Sequence, residues 1–310
     1  MPLRPAPRLV KRWAFIAMKT PLPTSSEAAS ASASTAAPVA VALVDAHVHL
    51  HACFDLEQAL AQAARNFRRA MMGLGVSAAD AVGCLMLTET ARDDRFRAMS
   101  QATPATIGRW RVEPTQEPCS LTARAAGEPL IAIVAGRQVV TREDLEVLAL
   151  GTTQRFDDGE PIESTLQRVR EAGALAVVPW GFGKWTGRRG RIVRGLIEQA
   201  PPQGLCLGDN GGRWRWGPYP RLLRQAQDRG LTVLPGSDPL PFPRQIHRLG
   251  GYGFVLPGAL DPRTPAASVR RALGHAARPL RCFGSRQGTF GFVYWQVAMQ
   301  LRKRMERFSR

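Results

Sequence analysis

Residues able to do metal chemistry cluster early in the chain, in Val41-Ala-Leu-Val-Asp45-Ala-His47-Val-His49-Leu-His51. On an extended strand, side chains two apart share a face, so His47 and His49 can converge just beyond the C-terminal end of the strand. Neutral imidazole is the commonest protein ligand for zinc, and one strand that fixes two rings removes much of the ordering cost of a site. The same spacing also suits a polar strand end with hydrogen-bonded histidines. Its position, at the exit of an apolar strand and early in a chain of barrel length, favours the metal reading.

Carboxylates that could join these rings end other apolar runs. Glu89 follows Ala81 to Leu87, Asp209 follows Gly204 to Gly208, and Asp238 follows Leu231 to Gly236 in Gly236-Ser-Asp238-Pro. The expected ligand set is His47, His49, Asp238 and Asp209, with Asp238 and Glu89 as catalytic acid-base groups. Glu89 and Asp209 serve equally well as helix N-caps or solvated loop acids. Such a site would hold a divalent ion, zinc or manganese, one ion or none. With an open position it would direct water at an ester, amide or phosphoester.

Next to these acids lie two stretches rich in Gly, Trp and cations: Pro179-Trp180-Gly-Phe-Gly-Lys184-Trp185-Thr-Gly-Arg188-Arg189 and Asp209-Asn210-Gly-Gly-Arg213-Trp-Arg215-Trp. Tryptophan offers a flat apolar face, and arginine a fork for oxyanions. Trp180, Trp185, Lys184, Arg188, Asn210, Arg213 and Gln138 are therefore the expected contacts for a small anionic ligand. Packed indoles and solvated guanidiniums are the alternative. On the ligand reading, Lys184→Ala and Arg213→Ala weaken that ligand and leave thermal stability nearly unchanged.

Positioning these groups requires alternating strands and helices. Strand-like runs cover 41–48, 81–87, 130–138, 174–178, 204–210 and 231–236, and helix-like runs cover 56–72 (closed by Gly73), 163–171, 191–200, 221–229, 266–277 and 292–308. This rhythm predicts an α/β fold, a TIM-like (β/α) barrel of seven or eight strands, distorted, with its site on the strand-exit loops. A doubly wound open sheet is the other possibility, although no Gly-x-Gly-x-x-Gly or Walker loop follows a strand. Residues 1–39 read as a basic, Ser/Ala-rich disordered leader, a poor secretory signal, with Met18 a candidate start. Residues 40–310 read as a single barrel domain ending in a basic helix.

At 310 residues and 45% hydrophobic composition, the chain can bury a substantial core. Five scattered cysteines without a Cys-x-x-Cys pair argue against a disulfide framework or thiolate site, and so for a cytoplasmic location. No apolar run approaches the ~20 residues of a membrane span. The net charge of +17, from 42 Lys and Arg against 25 Asp and Glu, favours anionic partners. It is as readily the mark of a GC-rich bacterial genome. Nucleic acid is a weaker candidate, since no basic stripe is interleaved with aromatics. The terminal helix could reach a membrane surface or nucleic acid, or simply pack with a basic tip. The sequence does not fix the oligomeric state.

Val44-Asp-Ala-His-Val-His49 together with Gly236-Ser-Asp238 resembles the PHP (polymerase and histidinol phosphatase) family, and more broadly the amidohydrolase-like hydrolases. Leu87-Thr-Glu89-Thr90 stands where that family has Thr-Asp-His. Ala135-Gly-Arg-Gln138 and Leu145 to Gly151 stand at its Gly-x-Glu strand and hairpin, and Glu171 to Pro179 at its Ala-Gly-Gly segment. The resemblance spans residues 41 to 242 and implies a metal-dependent phosphoesterase or amidohydrolase. Family histidines are replaced at Thr90, Pro179 and Leu240, and a bridging glutamate at Gln138. What remains is a mononuclear centre at most. Two functions follow: a metal-dependent hydrolase with a small anionic substrate, or a catalytically inactive relative that binds a ligand or partner.

Overall fold

A computed structural model of the chain describes residues 39–201, 205–276 and 278–308. The leader read over residues 1–39 falls outside them, save for Val39. The apolar run of the His-x-His segment forms β1 (Val39–Val48), and the next forms β2 (Ala81–Leu87). Both strands are buried on both faces, which is why they read as continuous hydrophobic runs. Leu43 and Leu85 pack under α1 (Leu56–Leu74), while Val44 and Met86 pack between two sheets. Asp55 caps α1 by accepting from Gln58 N at 2.9 Å, and Gly75, in the left-handed region at φ 69°, ends it. Gly73 therefore lies inside the helix rather than closing it.

The first sheet has eight strands. β1, β2 and β6 (Leu130–Val134) run parallel at its centre. An antiparallel meander of β3 (Ala105–Ile107), β4 (Trp110–Pro114) and β5 (Ser120–Arg124) extends β6. On the other side lie β12 (Tyr252–Leu260) and β13 (Arg281–Gly284), also antiparallel. The second sheet has five strands: the hairpin β7 (Gly136–Val140) and β8 (Glu146–Leu150), then β9 (Leu175–Pro179), β10 (Cys206–Asn210) and β11 (Thr232–Gly236). Only β9, β10 and β11 are mutually parallel. Helices α3 (Ile162–Glu171), α4 (Gly187–Gln199) and α5 (Arg221–Asp228) cover its outer face with a third apolar cluster.

This corrects the expected TIM-like barrel. The two mixed sheets do not close into one ring. They abut along β1 and β11, where the link is a single backbone bond from Asp238 N to His47 O (2.8 Å) together with Asp45, whose Oδ1 accepts from Ser237 N (2.7 Å). At the other seam, Glu89 and β7 exchange Glu89 N to Gly136 O (3.1 Å) and Gln138 N to Glu89 O (2.9 Å). Antiparallel insertions, β3 to β5 and the β7–β8 hairpin, break the strict strand-helix repeat that a barrel needs.

The last helices are α2 (Arg95–Ala102), α6 (Pro265–His275) and α7 (Thr289–Phe308). α7 turns Phe292 and Trp295 onto Phe182 and Phe242, and leaves Phe290, Tyr294, Val297 and Leu301 exposed. No helix among the described residues is long and apolar enough to cross a membrane.

Candidate metal centre

A β-bulge aims the two histidines. Three residue steps on β1, Asp45 to Val48, oppose two on β2, Leu85 to Leu87. Before the bulge Val44 and Ala46 face the space between the sheets; after it Val48 and Leu50 face α1. His47 and His49 thereby turn inward at the strand exit while Asp45 points the other way. Asp45 is fully buried and accepts three backbone N–H groups: His47 (3.3 Å) and Ser237 (2.7 Å) on Oδ1, and Gly250 (3.0 Å) on Oδ2. It clamps β1 to the start of the Asp238 loop.

That loop is shaped by close approach. A Cβ on Gly236 would stand 2.4 Å from both His47 Cβ and His47 N, so only glycine lets β11 lie so near β1. Asp238 then adopts φ 45°, a left-handed conformation that asparagine and aspartate tolerate best. The result brings three donors together. His47 Nε2 and His49 Nε2 are 3.2 Å apart, and each lies 3.5 Å from Asp238 Oδ1. A tetrahedral zinc ion with bonds of about 2.0–2.1 Å keeps its ligand atoms roughly 3.3–3.4 Å apart, so the triangle has the edge lengths of such a coordination face.

Neighbouring groups hold this arrangement. Asn210 Nδ2 donates to Asp238 Oδ2, and its own Oδ1 accepts from Gly212 N (2.6 Å), which fixes the amide and leaves Oδ1 of Asp238 to the histidines. Gln138 Oε1 lies 3.3 Å from His47 Nε2, and Thr88 Oγ1 3.4 Å from His49 Nε2. His51 Nε2 bonds Pro239 O (2.8 Å), and its ring stacks on His49. Burial and the charge of His47 push His49 down to about 3. Burial opposes ionisation of Asp238, yet His47, His49, Lys184 and the Asn210 amide together hold its carboxyl below the ordinary value. A neutral imidazole and an ionised carboxylate are the ligating forms. One feature works against strong ligation: His49 Nδ1 is buried with no acceptor among the described residues.

The remaining candidates lie elsewhere. Asp209 is next to Asn210 but on the opposite face of β10, where it takes a two-point ion pair from Arg213 (Nε 2.8 Å, Nη2 2.9 Å) and the Tyr252 hydroxyl (2.7 Å). It points away from the group formed by His47, His49 and Asp238, which corrects its place in the ligand set. Glu89 accepts from Phe96 N (2.7 Å) at the first turn of α2 and pairs with Arg137 (3.2 Å). It serves the first turn of α2 from outside the helix, whose N-cap position is Asp94, and its carboxylate is committed to that N–H and to Arg137. Lys184 pairs with Glu146 while its charge reaches His49 and Asp238. Trp185 is buried and Trp180 half-buried against the cluster beneath α4. Arg188 is exposed within α4, which begins four residues before the expected Arg191.

Arg213 is buried, so the expectation that Arg213→Ala leaves stability unchanged is overturned: it would strand the Asp209 carboxylate. Sequence reasoning missed Thr88, His51 and the clamp role of Asp45. Only the run Asp45-x-His47-x-His49-x-His51 hinted at the last two.

The chain matches no family model and no curated protein. Among solved structures, the crystal structure of PsfC from Pseudomonas syringae superposes with a TM-score of 0.50, over 86% of this chain and 99% of that one, at 14% identity. At that identity the likeness concerns the fold alone.

Proposed function

We propose that His47, His49 and Asp238 hold one divalent cation, zinc or manganese, and that the chain is a metal-dependent hydrolase of a small anionic substrate. The carrying observation is the triangle of donor atoms 3.2–3.5 Å apart, built from two sheets, with both histidines buried and Asp238 partly exposed at their junction. A bound divalent ion supplies Lewis-acid polarisation of an ester, amide or phosphoester and lowers the pKa of water at an open position. The protein contributes orientation: Asn210 aims the carboxylate, and Lys184 adds positive charge at the rim for an anionic substrate. The likeness of Val44 to His49 and Gly236 to Asp238 to the PHP pattern supports a phosphoester over other substrates.

A second reading, binding without turnover, is favoured by the fate of the acids. Glu89 and Asp209 are committed to Arg137 and Arg213, so Asp238 would have to be both ligand and base. Elemental analysis of protein purified without chelator separates the cases when paired with hydrolysis of p-nitrophenyl phosphate. About one equivalent of metal, lost in His47→Ala and Asp238→Ala, with turnover lost in parallel, is the expected result. Metal without turnover supports the second reading, and no metal in the wild type refutes the hydrolase and leaves binding without turnover.

A further inference from the structure

On the face of β10 opposite Asn210 lies a cavity of about 590 Å³, within the size range of small-ligand sites. Its floor is the buried group Asp209, Arg213 and Tyr252 already described. Asp209 engages Nε and Nη2 of Arg213, and the guanidinium lies over the Tyr219 ring, 5.1 Å from its centroid. Both contacts fix the plane of the guanidinium. Nη1 is left buried with no acceptor, on a side chain only 4% exposed. A buried N–H without a partner costs free energy unless something else meets it.

Two more guanidiniums line the same cavity, those of Arg215 and Arg286. Arg215 is stacked on Trp216 at 4.7 Å, and Arg286 makes no ion pair or hydrogen bond with any described residue. Three arginines face one carboxylate, so the lining carries two uncompensated positive charges. The Tyr219 hydroxyl, pushed up to about 12 by burial and the nearby Asp209, stays a donor at neutral pH. The other uncharged polar side chains of the lining, Gln227 and Ser285, can donate as well as accept, and the surplus charge is positive.

We propose that this cavity binds the phosphate group of a small phosphate monoester, with Arg213 Nη1 and the Arg215 and Arg286 guanidiniums as its oxyanion contacts, at a site separate from the His47–His49–Asp238 centre. A phosphate dianion matches the uncompensated charge and accepts from several guanidinium forks at once, which a single carboxylate cannot do as fully. The cavity is much larger than a phosphate group alone, so the organic part of the ester has room beside it. Because the two sites lie on opposite faces of β10, occupancy here does not depend on the metal.

The test is calorimetric titration of the full chain with inorganic phosphate, glycerol 3-phosphate and acetate. Glycerol 3-phosphate should bind more tightly than phosphate, and acetate more weakly than either. Arg286→Ala and Arg215→Ala should each weaken the ester by about tenfold or more, with the melting temperature unchanged. His47→Ala should bind it like the wild type, whether or not the metal centre holds an ion. Arg213 is left intact because its loss would unfold the cavity floor. The proposal is overturned if the ester does not bind, if both arginine variants bind it normally, if it binds no better than acetate, or if His47→Ala abolishes binding and so places it at the metal centre. Phosphate binding as tightly as its ester would overturn the assignment of an organic ligand.

Discussion

Replacing Asp45 with alanine takes the side-chain acceptor from the buried N–H groups of Ser237 and Gly250 and from His47 N. Leaving a buried donor unpaired costs roughly 1–3 kcal/mol each. The His47 contact, at 3.3 Å, is the weakest of the three, and local relaxation or water will recover part of the loss. The expected destabilisation is about 3–5 kcal/mol, a large share of the ~5–15 kcal/mol typical of a folded domain. Asp45→Asn keeps one carbonyl oxygen but turns an NH₂ toward a backbone donor, so it should cost about 1–3 kcal/mol. Urea unfolding followed by circular dichroism gives the comparison, provided the slope of free energy against urea is the same for all three proteins. An unfolding free energy for Asp45→Ala within about 1 kcal/mol of the wild type would mean that the two sheets are not joined by this carboxylate, and the account of how the metal centre is positioned would fail with it.

Other outcomes follow from single contacts. Gly236→Ala forces a methyl group into His47 and should both lower the melting temperature sharply and abolish metal retention, read by elemental analysis of whatever folds. Arg213→Ala leaves Asp209 buried and unpaired, with an expected loss of about 3–5 kcal/mol in the same urea assay; a neutral result would show that water reaches Asp209. Lys184→Ala, by contrast, breaks only a partly exposed pair with Glu146 and should shift stability by under about 1 kcal/mol, while raising KM for an anionic substrate. Cys84 is fully buried and burial pushes its thiol up, so a maleimide should modify exposed Cys53 in the native protein and reach Cys84 only in urea.

The histidine pair, its strand and the distant aspartate were legible because each is a local pattern. An apolar run ending in His47-x-His49 is periodic, and Gly236-Ser-Asp238 marks a place where backbone must come close. The closure of the sheets was not legible, since hydrophobic alternation reports which faces are buried and says nothing of which edges pair. The bulge after Asp45 was equally hidden. Strict alternation puts Asp45, His47 and His49 on one face, whereas the extra residue separates the clamp from the ligands. Asp209 was misplaced for a related reason. Neighbouring residues on a strand face opposite ways, so a strand exit offers only one of Asp209 and Asn210 to the interior, and the sequence does not say which. Arg213, four residues on, decided it by taking the carboxylate to the outer face.

The triangle of donors draws its imidazoles from one sheet and its carboxylate from the other. A cation held there would act as a rivet across a joint otherwise fastened by few bonds. Amide protons of Ser237, Asp238 and Gly250 would then exchange with solvent at a rate set by metal occupancy, and the ion could leave only as fast as the joint breathes.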